Sequence, residues 1–326
     1  MAVIKPIKAL RFTEKAGSIE SCVCPPYDII SPEERSALIA ANEFNLVRLE
    51  LPEGEDKYRQ AGDILNDWIN KGILARDEAE GIFVYREEFN VEGVDYCLTG
   101  IVCKVKLCEF SEKIVLPHEE TLTKAKKDRF ELMSATGCNF SSIYSLYNDE
   151  SGAIAEVIKY KTAEAPLHRF TDEEEVTHTL WKIDCEKGIN TIVNALAEKQ
   201  LFIADGHHRY ETALNYRRQL VNPPENADAS CVMMTLVDMD DKGLVVFPTH
   251  RLIVDRKVCR EEIADKCADS FDMSVLPLDQ LENALEKGEN GHAYALYTGG
   301  NDFLYMELKG CNESLYGLES LLDMGN

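Results

Sequence analysis

The densest chemistry in the chain lies at Phe202-Ile203-Ala204-Asp205-Gly206-His207-His208-Arg209-Tyr210-Glu211-Thr212. The apolar run from Leu201 to Ile203 reads as a buried strand, Asp205-Gly206 as a tight turn, and the residues after it as the start of a helix. Glycine permits a turn with positive φ and lets a second molecule approach the backbone closely. The open amides of a helix N-terminus favour an anion. His207, His208 and Arg209 add donors suited to phosphate oxygens, Arg209 with two parallel N–H groups. The turn therefore reads as a phosphate-binding site. It is not a P-loop, because no G-x-x-x-x-G-K-[ST] occurs. The competing account is a hydrogen-bonded core histidine, with Arg209 paired to Glu211 or another acid.

Three further clusters carry polar chemistry. Leu116-Pro117-His118-Glu119-Glu120-Thr121-Leu122 precedes Lys124, Lys126, Lys127, Asp128 and Arg129. These cations form a local exception in an acidic chain and would steer an anion. Glu119, Glu120 or Asp128 would serve as a general base or hold Mg²⁺. A solvated helix face with paired charges explains the same pattern. Cys24-Pro25-Pro26-Tyr27-Asp28 is a turn that can hold Asp28 at a pocket rim. Pro248-Thr249-His250-Arg251 follows a hydrophobic run, where sites collect in open sheets, so His250 and Arg251 are also candidates. A zinc site of His118, His207, His208 and His250 is disfavoured, because no H-x-x-x-H pair exists and adjacent histidines on a helix point apart.

The elements that must position these groups follow from local signals. Ser31 and Glu34 make a capping box with Pro32 at the first helical position, so a helix runs from Pro32 to about Ala41. Val47 to Leu51 reads as a strand. Tyr58 to Lys71 reads as a helix, with Ala61, Ile64, Leu65, Trp68 and Ile69 on one side and a stop at Gly72. Ile82 to Glu88 and Asp95 to Leu107 read as a hairpin turned at Asn90 to Gly93. Ser142 to Tyr147 is an expected strand and Ala153 to Lys159 a helix. His168 to Phe170 and His178 to Lys182 are expected in a second sheet. A helix from Gly188 to Lys199 feeds the Leu201 strand, and a helix from Tyr210 to Gln219 follows the turn. Residues 222–226 are an expected loop. Ser230 to Val237 reads as a strand buried on both faces, Asp238 to Gly243 as a turn, and Leu244 to Phe247 as a return strand. Residues 257–326 read as helix, strand, strand. The fold class is mixed α/β, of α+β character, with mixed sheets and flanking helices.

With 45% hydrophobic and 29% charged residues and no low-complexity tract, the chain has the composition of an ordinary globular protein. A net charge of −23 argues against nucleic-acid and anionic-membrane partners, while leaving room for a small anion at a local basic patch. No run approaches the roughly 18 apolar residues of a membrane helix, and the N-terminus lacks a signal-peptide core, so a cytoplasmic location is expected. The cysteines include Cys22-Val23-Cys24 but no C-x-x-C pair, which suits reduced thiols better than zinc or disulfides.

Taken together, Pro25-Pro26-Tyr27-Asp28, His118-Glu119-x-Thr121 with Asp128-Arg129, Ala204-Asp205-Gly206-His207-His208-Arg209-Tyr210 and Pro248-Thr249-His250-Arg251 resemble domain-of-unknown-function family 1015. The four motifs run in order from residue 25 to residue 251. The Asp-Gly-His-His-Arg turn also resembles the phosphate-binding turn of the ParB/sulfiredoxin superfamily, which includes partition nucleotide hydrolases, sulfiredoxin and free-serine kinases. That likeness implies nucleotide phosphate at Gly206 to Arg209. Sulfiredoxin acts through a cysteine in the turn where this chain has His207, and partition proteins need DNA-binding regions that an acidic chain lacks.

The resemblance implies a ParB/sulfiredoxin-like module around 188–252, inside a 166–326 domain that follows a 1–165 α/β domain. It also implies a nucleotide-dependent phosphotransferase acting on a small hydroxy metabolite such as free L-serine. A non-catalytic nucleotide sensor and a metal-dependent hydrolase are the alternatives. In the kinase reading Gly206, His207, His208 and Arg209 hold the donor phosphates, with Arg129 and Lys127 as weaker candidates. Asp205 holds Mg²⁺ or orients His208. Glu119 is the general base, with Asp28 and Glu120 behind it. The donor would be ATP, ADP or pyrophosphate with Mg²⁺, and the oligomeric state is left open.

Overall fold

The computed structural model describes residues 1–119, 123–220, 228–245, 252–253, 257–288 and 292–309. The chain divides into two compact units, Met1–Val245 and Val246–Asn326.

The first unit opens with β1 (Ile4–Lys5), β2 (Leu10–Phe12), α1 (Ile19–Cys22), α2 (Pro32–Ala41), α3 (Val47–Glu50), α4 (Lys57–Asn70) and β3 (Leu74–Arg76). The long hairpin β4 (Ile82–Val91) and β5 (Val94–Lys106) follows, then β6 (Val115–Leu116), α5 (Thr123–Thr136) and β7 (Ile143–Tyr147). It closes with α6 (Ala153–Thr162), β8 (His168–Thr171), β9 (Thr177–Ile183), α7 (Glu186–Leu196), β10 (Leu201–Asp205), α8 (His207–Gln219) and β11 (Cys231–Asp238). A nine-stranded mixed sheet runs β6-β10-β7-β11-β5-β4-β9-β8, with β1 also paired to β5. The pairs β6–β10 and β7–β11 are parallel. Strand β1 meets Lys104 and Val105 just beyond the stretch of β5 that β4 covers. The sheet thus takes strands from both sides of residue 165.

Side chains alternate across a strand, so each strand serves two faces. Ile82, Val84, Ile101, Cys103, Val105, Ile143, Trp181, Ile183, Val232, Met234 and Leu236 enter one core. Helices α6 and α7 close over them with Ile154, Ile192 and Leu196. The Trp181 indole N–H donates to the Glu164 carbonyl at 3.0 Å, and a Cβ on Gly188 would fall 2.8 Å from Ile183 Cγ2, so both helices pack tightly here. Each such aliphatic side chain contributes about 1.5–3 kcal/mol on burial. The alternate residues on the other face floor the cavity described below.

A second cluster joins α1, α3, α4 and the β2–β3 ribbon through Ala16, Cys22, Leu49, Leu65, Trp68, Ile73 and Leu74. The Trp68 ring lies 6.0 Å from Phe12 and 5.8 Å from Phe44. Helix α2 begins as the sequence dictates: Ser31 Oγ accepts the Glu34 N–H, Glu34 Oε2 accepts the Ser31 N–H, and Pro32 opens the first turn.

The second unit holds α9 (Arg260–Cys267), β12 (Phe271–Pro277), α10 (Leu281–Lys287), β13 (Ala293–Leu296) and β14 (Asp302–Leu308). Its antiparallel sheet runs β12-β14-β13, with Phe303, Leu304 and Met306 of the central strand buried.

The mixed α/β class is as expected, with four local corrections. The stretch 257–309 runs helix, strand, helix, strand, strand rather than helix, strand, strand. Val47–Glu50 is helical rather than extended. Asn45 Oδ1 accepts the Val47 N–H while its amide donates to the Ser21 and Val23 carbonyls, so a distant segment fixes a helix start that local alternation hides. Strands β8 and β9 extend the main sheet through β4 instead of forming a second one. Leu244 and Val245 are not in a strand, because β11 is already paired on both sides, by β5 and β7. Val246, Phe247, the expected loop 222–226 and the Thr249-His250-Arg251 cluster lie outside the described residues, as do Glu120 and Thr121. Among the described residues no helix is long and apolar enough to cross a membrane.

Candidate active site

A cavity of about 540 Å³ opens on the second face of the large sheet. Tyr85 and Glu87 of β4, Gly100 of β5, Tyr144 of β7 and Thr235 of β11 contribute to its floor. The Cys24–Asp28 turn, Glu50, Ser141, Ser142, Glu119 and the Asp205–Arg209 turn form its walls. Three of the four clusters singled out in the sequence therefore meet at one place, from segments far apart in the chain.

The Asp205–Arg209 turn is built as strand, glycine, helix. The β10–β7 register shifts between Ile203 and Asp205, an irregularity in the strand just before the turn. Gly206 has φ +96°, a left-handed conformation that side chains disfavour. A Cβ there would fall 3.0 Å from Arg209 Nε and Nη2, so the guanidinium would have to shift by a few tenths of an ångström to admit one. The N-cap of α8 is Gly206, which has no side chain of its own to bond the first amides of the helix, and this helix start stands at the cavity wall. The Arg209 guanidinium folds back across Gly206, with Nη1 donating to the Ser142 carbonyl and Nη2 to Asp205. Behind the turn, Tyr210 is fully buried; its hydroxyl donates to the Cys108 carbonyl at 2.9 Å and accepts the Cys108 N–H at 3.1 Å. These bonds anchor the first turn of α8 to the segment after β5.

The histidines divide their work. His207 is buried, and its Nε2 accepts the backbone N–H of His118 at 3.2 Å. Its hydrogen therefore sits on Nδ1, which faces Glu119 Oε2 at 3.6 Å. Burial and the neighbouring His118 hold the His207 pKa below its usual value, favouring the neutral ring. The His118 ring packs edge-on to His207, and His118 Nδ1 donates to the Ile203 carbonyl at 2.8 Å. Together they tie the Glu119 segment to the strand before the turn. His208 lines the cavity beside Arg209.

The basic stretch is placed differently from a phosphate clamp. Lys127 is exposed, and neither it, Asp128 nor Arg129 lines the cavity. Asp128 accepts from Lys57 Nζ and Tyr58 Oη at 2.7 Å each, and from Arg129 Nη2 at 2.6 Å. Despite partial burial, these bonds pull its pKa down to about 2. Arg129 is itself buried: Nη1 donates to the Glu50 carbonyl at 2.9 Å and faces Glu50 Oε1 at 3.4 Å. Its guanidinium stacks on the Tyr27 ring, 4.0 Å from the centroid. It braces the cavity wall from behind.

Sequence reasoning missed several lining groups. Glu50 is buried in the wall, where the segment was read as a strand. Tyr85 Oη lies 3.0 Å from Glu87 Oε1 and 2.6 Å from His178 Nδ1, and His178 Nε2 lies 3.0 Å from Asp172 Oδ2. This chain of polar groups reaches from the β8–β9 turn into the cavity. The alternation Val84-Tyr85-Arg86-Glu87 contained the signal, since Val84 is core and Tyr85 and Glu87 share the opposite face.

Among the described residues, the cavity is lined by Asp28, Glu50, Glu87, Glu119 and Asp205, against the single guanidinium of Arg209. A phosphate ester would meet repulsion there unless a cation accompanied it. No group of three or more His, Cys, Asp or Glu among the described residues is arranged to hold a metal ion. Magnesium in phosphoryl-transfer sites is commonly held by one or two carboxylates plus the substrate's phosphates, so a Mg²⁺–phosphate complex suits this donor set better than a protein-only cage.

The chain matches the model of a family described as a protein of unknown function (DUF1015), over residues 4–323, and it belongs to that family. No curated protein and no solved structure matches it.

Proposed function

We propose that the cavity is the active site of a nucleotide-dependent phosphotransferase that acts on a small hydroxy metabolite, with free L-serine as the first acceptor to test. The observation that carries this reading is the start of α8 at Gly206, with Arg209, on the wall of a cavity that also gathers carboxylates. Helix-start amides and a guanidinium are the groups that bind terminal phosphates. Phosphoryl transfer needs little beyond positioning, charge neutralisation and an acceptor for the hydroxyl proton. The likeness of the turn to the ParB/sulfiredoxin superfamily supports the same reading.

In this account the α8 amides, His208 and Arg209 hold the donor phosphates, while His207 fixes the Glu119 segment. Magnesium would neutralise charge between the phosphate oxygens, with Asp205 as its protein ligand. Glu119 and Asp28, both on the cavity wall, are available to receive the hydroxyl proton. ATP, ADP and pyrophosphate share the terminal phosphate the turn would recognise.

Calorimetric titration of the purified protein with each donor, with and without Mg²⁺, tests the binding half of the proposal. Binding that needs Mg²⁺ and is lost in Arg209→Ala supports it. Undiminished binding in Arg209→Ala would mean the phosphates lie elsewhere.

A further inference from the structure

The cavity carboxylates differ sharply in their surroundings. The side chains of Glu119 and Asp205 are 52% and 75% exposed, whereas that of Glu50 is 6% exposed. Glu50 Oε1 is held by the Ser141 hydroxyl at 3.1 Å and faces Arg129 Nη1 at 3.4 Å. Glu50 Oε2 is shut off from solvent and has no hydrogen-bond partner among the described residues. An ionised oxygen left in that state carries a standing desolvation cost, and such groups in a folded protein call for an explanation. Glu50 belongs to the cavity wall. The last torsion of a glutamate is broad and two-fold, so Oε2 can turn to a group in the cavity while α3 stays in place.

We propose that Glu50 is the catalytic base, taking the hydroxyl proton of the acceptor in place of the exposed Glu119; this rests on the phosphotransferase reading. As the acceptor's O–H bond breaks, its proton passes to Glu50 Oε2. The oxygen's electron pair forms the new bond to the terminal phosphorus of a nucleoside triphosphate or pyrophosphate donor. The bond from that phosphorus to its bridging oxygen breaks, and the electron pair leaves on that oxygen with the nucleoside diphosphate or, from pyrophosphate, with inorganic phosphate.

The surroundings suit this task. Burial raises the Glu50 carboxyl above the usual carboxylate range, Arg129 and the Ser141 hydroxyl pull it back, Arg209 does so from α8, and Asp28 pushes it up again. Cys24 and Tyr27 face it from the same turn as Asp28. A base raised toward the working pH is the more effective proton acceptor.

The test measures phosphoryl transfer from Mg-ATP and from Mg-pyrophosphate to L-serine across pH, in wild type, Glu50→Gln and Ser141→Ala. We expect kcat to fall about 10²- to 10⁴-fold in Glu50→Gln, with the acid limb of the profile lost and the donor KM little changed. Ser141→Ala removes a bond to the ionised form, so its acid limb should move to higher pH. A Glu50→Gln enzyme within about threefold of wild-type kcat, with the same acid limb, overturns the proposal. If Glu50→Gln does not fold, an unmoved limb in Ser141→Ala overturns it. Wild-type protein that transfers to no acceptor removes the phosphotransferase reading itself, and this inference with it.

Discussion

Replacing Arg129 with Met should destabilise the first unit by about 3–5 kcal/mol near neutral pH, because it leaves Glu50 buried without its cation. Glu50 is 4% exposed and, among the described residues, its remaining side-chain donor is Ser141, so little solvent can compensate. Loss of the guanidinium from the Tyr27 ring adds about 0.5–1 kcal/mol. Asp128 contributes little to the penalty, since Lys57 and Tyr58 still bond it. The effect depends on pH with a definite sign. A carboxyl raised in the folded state gives full stability below its unfolded value, and that stability is lost as pH rises through the folded value. Removing Arg129 raises the folded value further, so the gap to wild type should widen as pH rises above the unfolded glutamate value of about 4.3. Urea denaturation can be followed by tryptophan fluorescence, because Trp68 and Trp181 are both buried in this unit. Adding Glu50→Gln to Arg129→Met should restore much of the loss, giving a coupling energy of about 2 kcal/mol or more. Additivity within about 0.5 kcal/mol would refute the reasoning, since it would mean the two side chains do not depend on each other.

Gly206→Ala should cost about 1–3 kcal/mol in urea denaturation and weaken Mg-ATP binding, because the residue is held at φ +96° and the added Cβ would press on the Arg209 guanidinium; wild-type stability and affinity would contradict that. Asp128 has its pKa depressed to about 2, so it contributes stability above its unfolded value that disappears as pH falls toward 2. With a third of the side chain exposed, that contribution is about 1–2 kcal/mol after screening. Asp128→Asn should therefore flatten the acid limb of the stability curve, and an unchanged limb would show that the α4–α5 contact does not depend on this charge.

The parts of the site legible in the sequence are those whose chemistry is local. The strand, glycine and helix of the Asp205–Arg209 turn are contiguous, and the Ser31–Glu34 capping box satisfies its own backbone. Glu50 was hidden because Val47-Arg48-Leu49-Glu50-Leu51 alternates as a strand would, while its helical start depends on Asn45 bonding Ser21 and Val23. Arg129 read as a weaker candidate for the donor phosphates; Glu50 and Tyr27, brought by other segments, draw it inward. His207 looked like a phosphate donor, but its Nε2 is taken by the His118 amide. Tyr85 and Glu87 were visibly on one strand face. That this face borders a cavity depends on strands β7 and β11 joining the hairpin, a pairing no local pattern encodes. Strand β9 was legible as a strand, yet its place beside β4 is likewise a long-range choice.

The most direct test of the central claim is phosphorus NMR of the protein with Mg-ATP, with and without L-serine, alongside Arg209→Ala. The account predicts a new phosphomonoester resonance that requires both serine and Arg209. Conversion that persists in Arg209→Ala, or the absence of both conversion and ATP binding in the wild type, would contradict the assignment of the α8 turn to the donor phosphates.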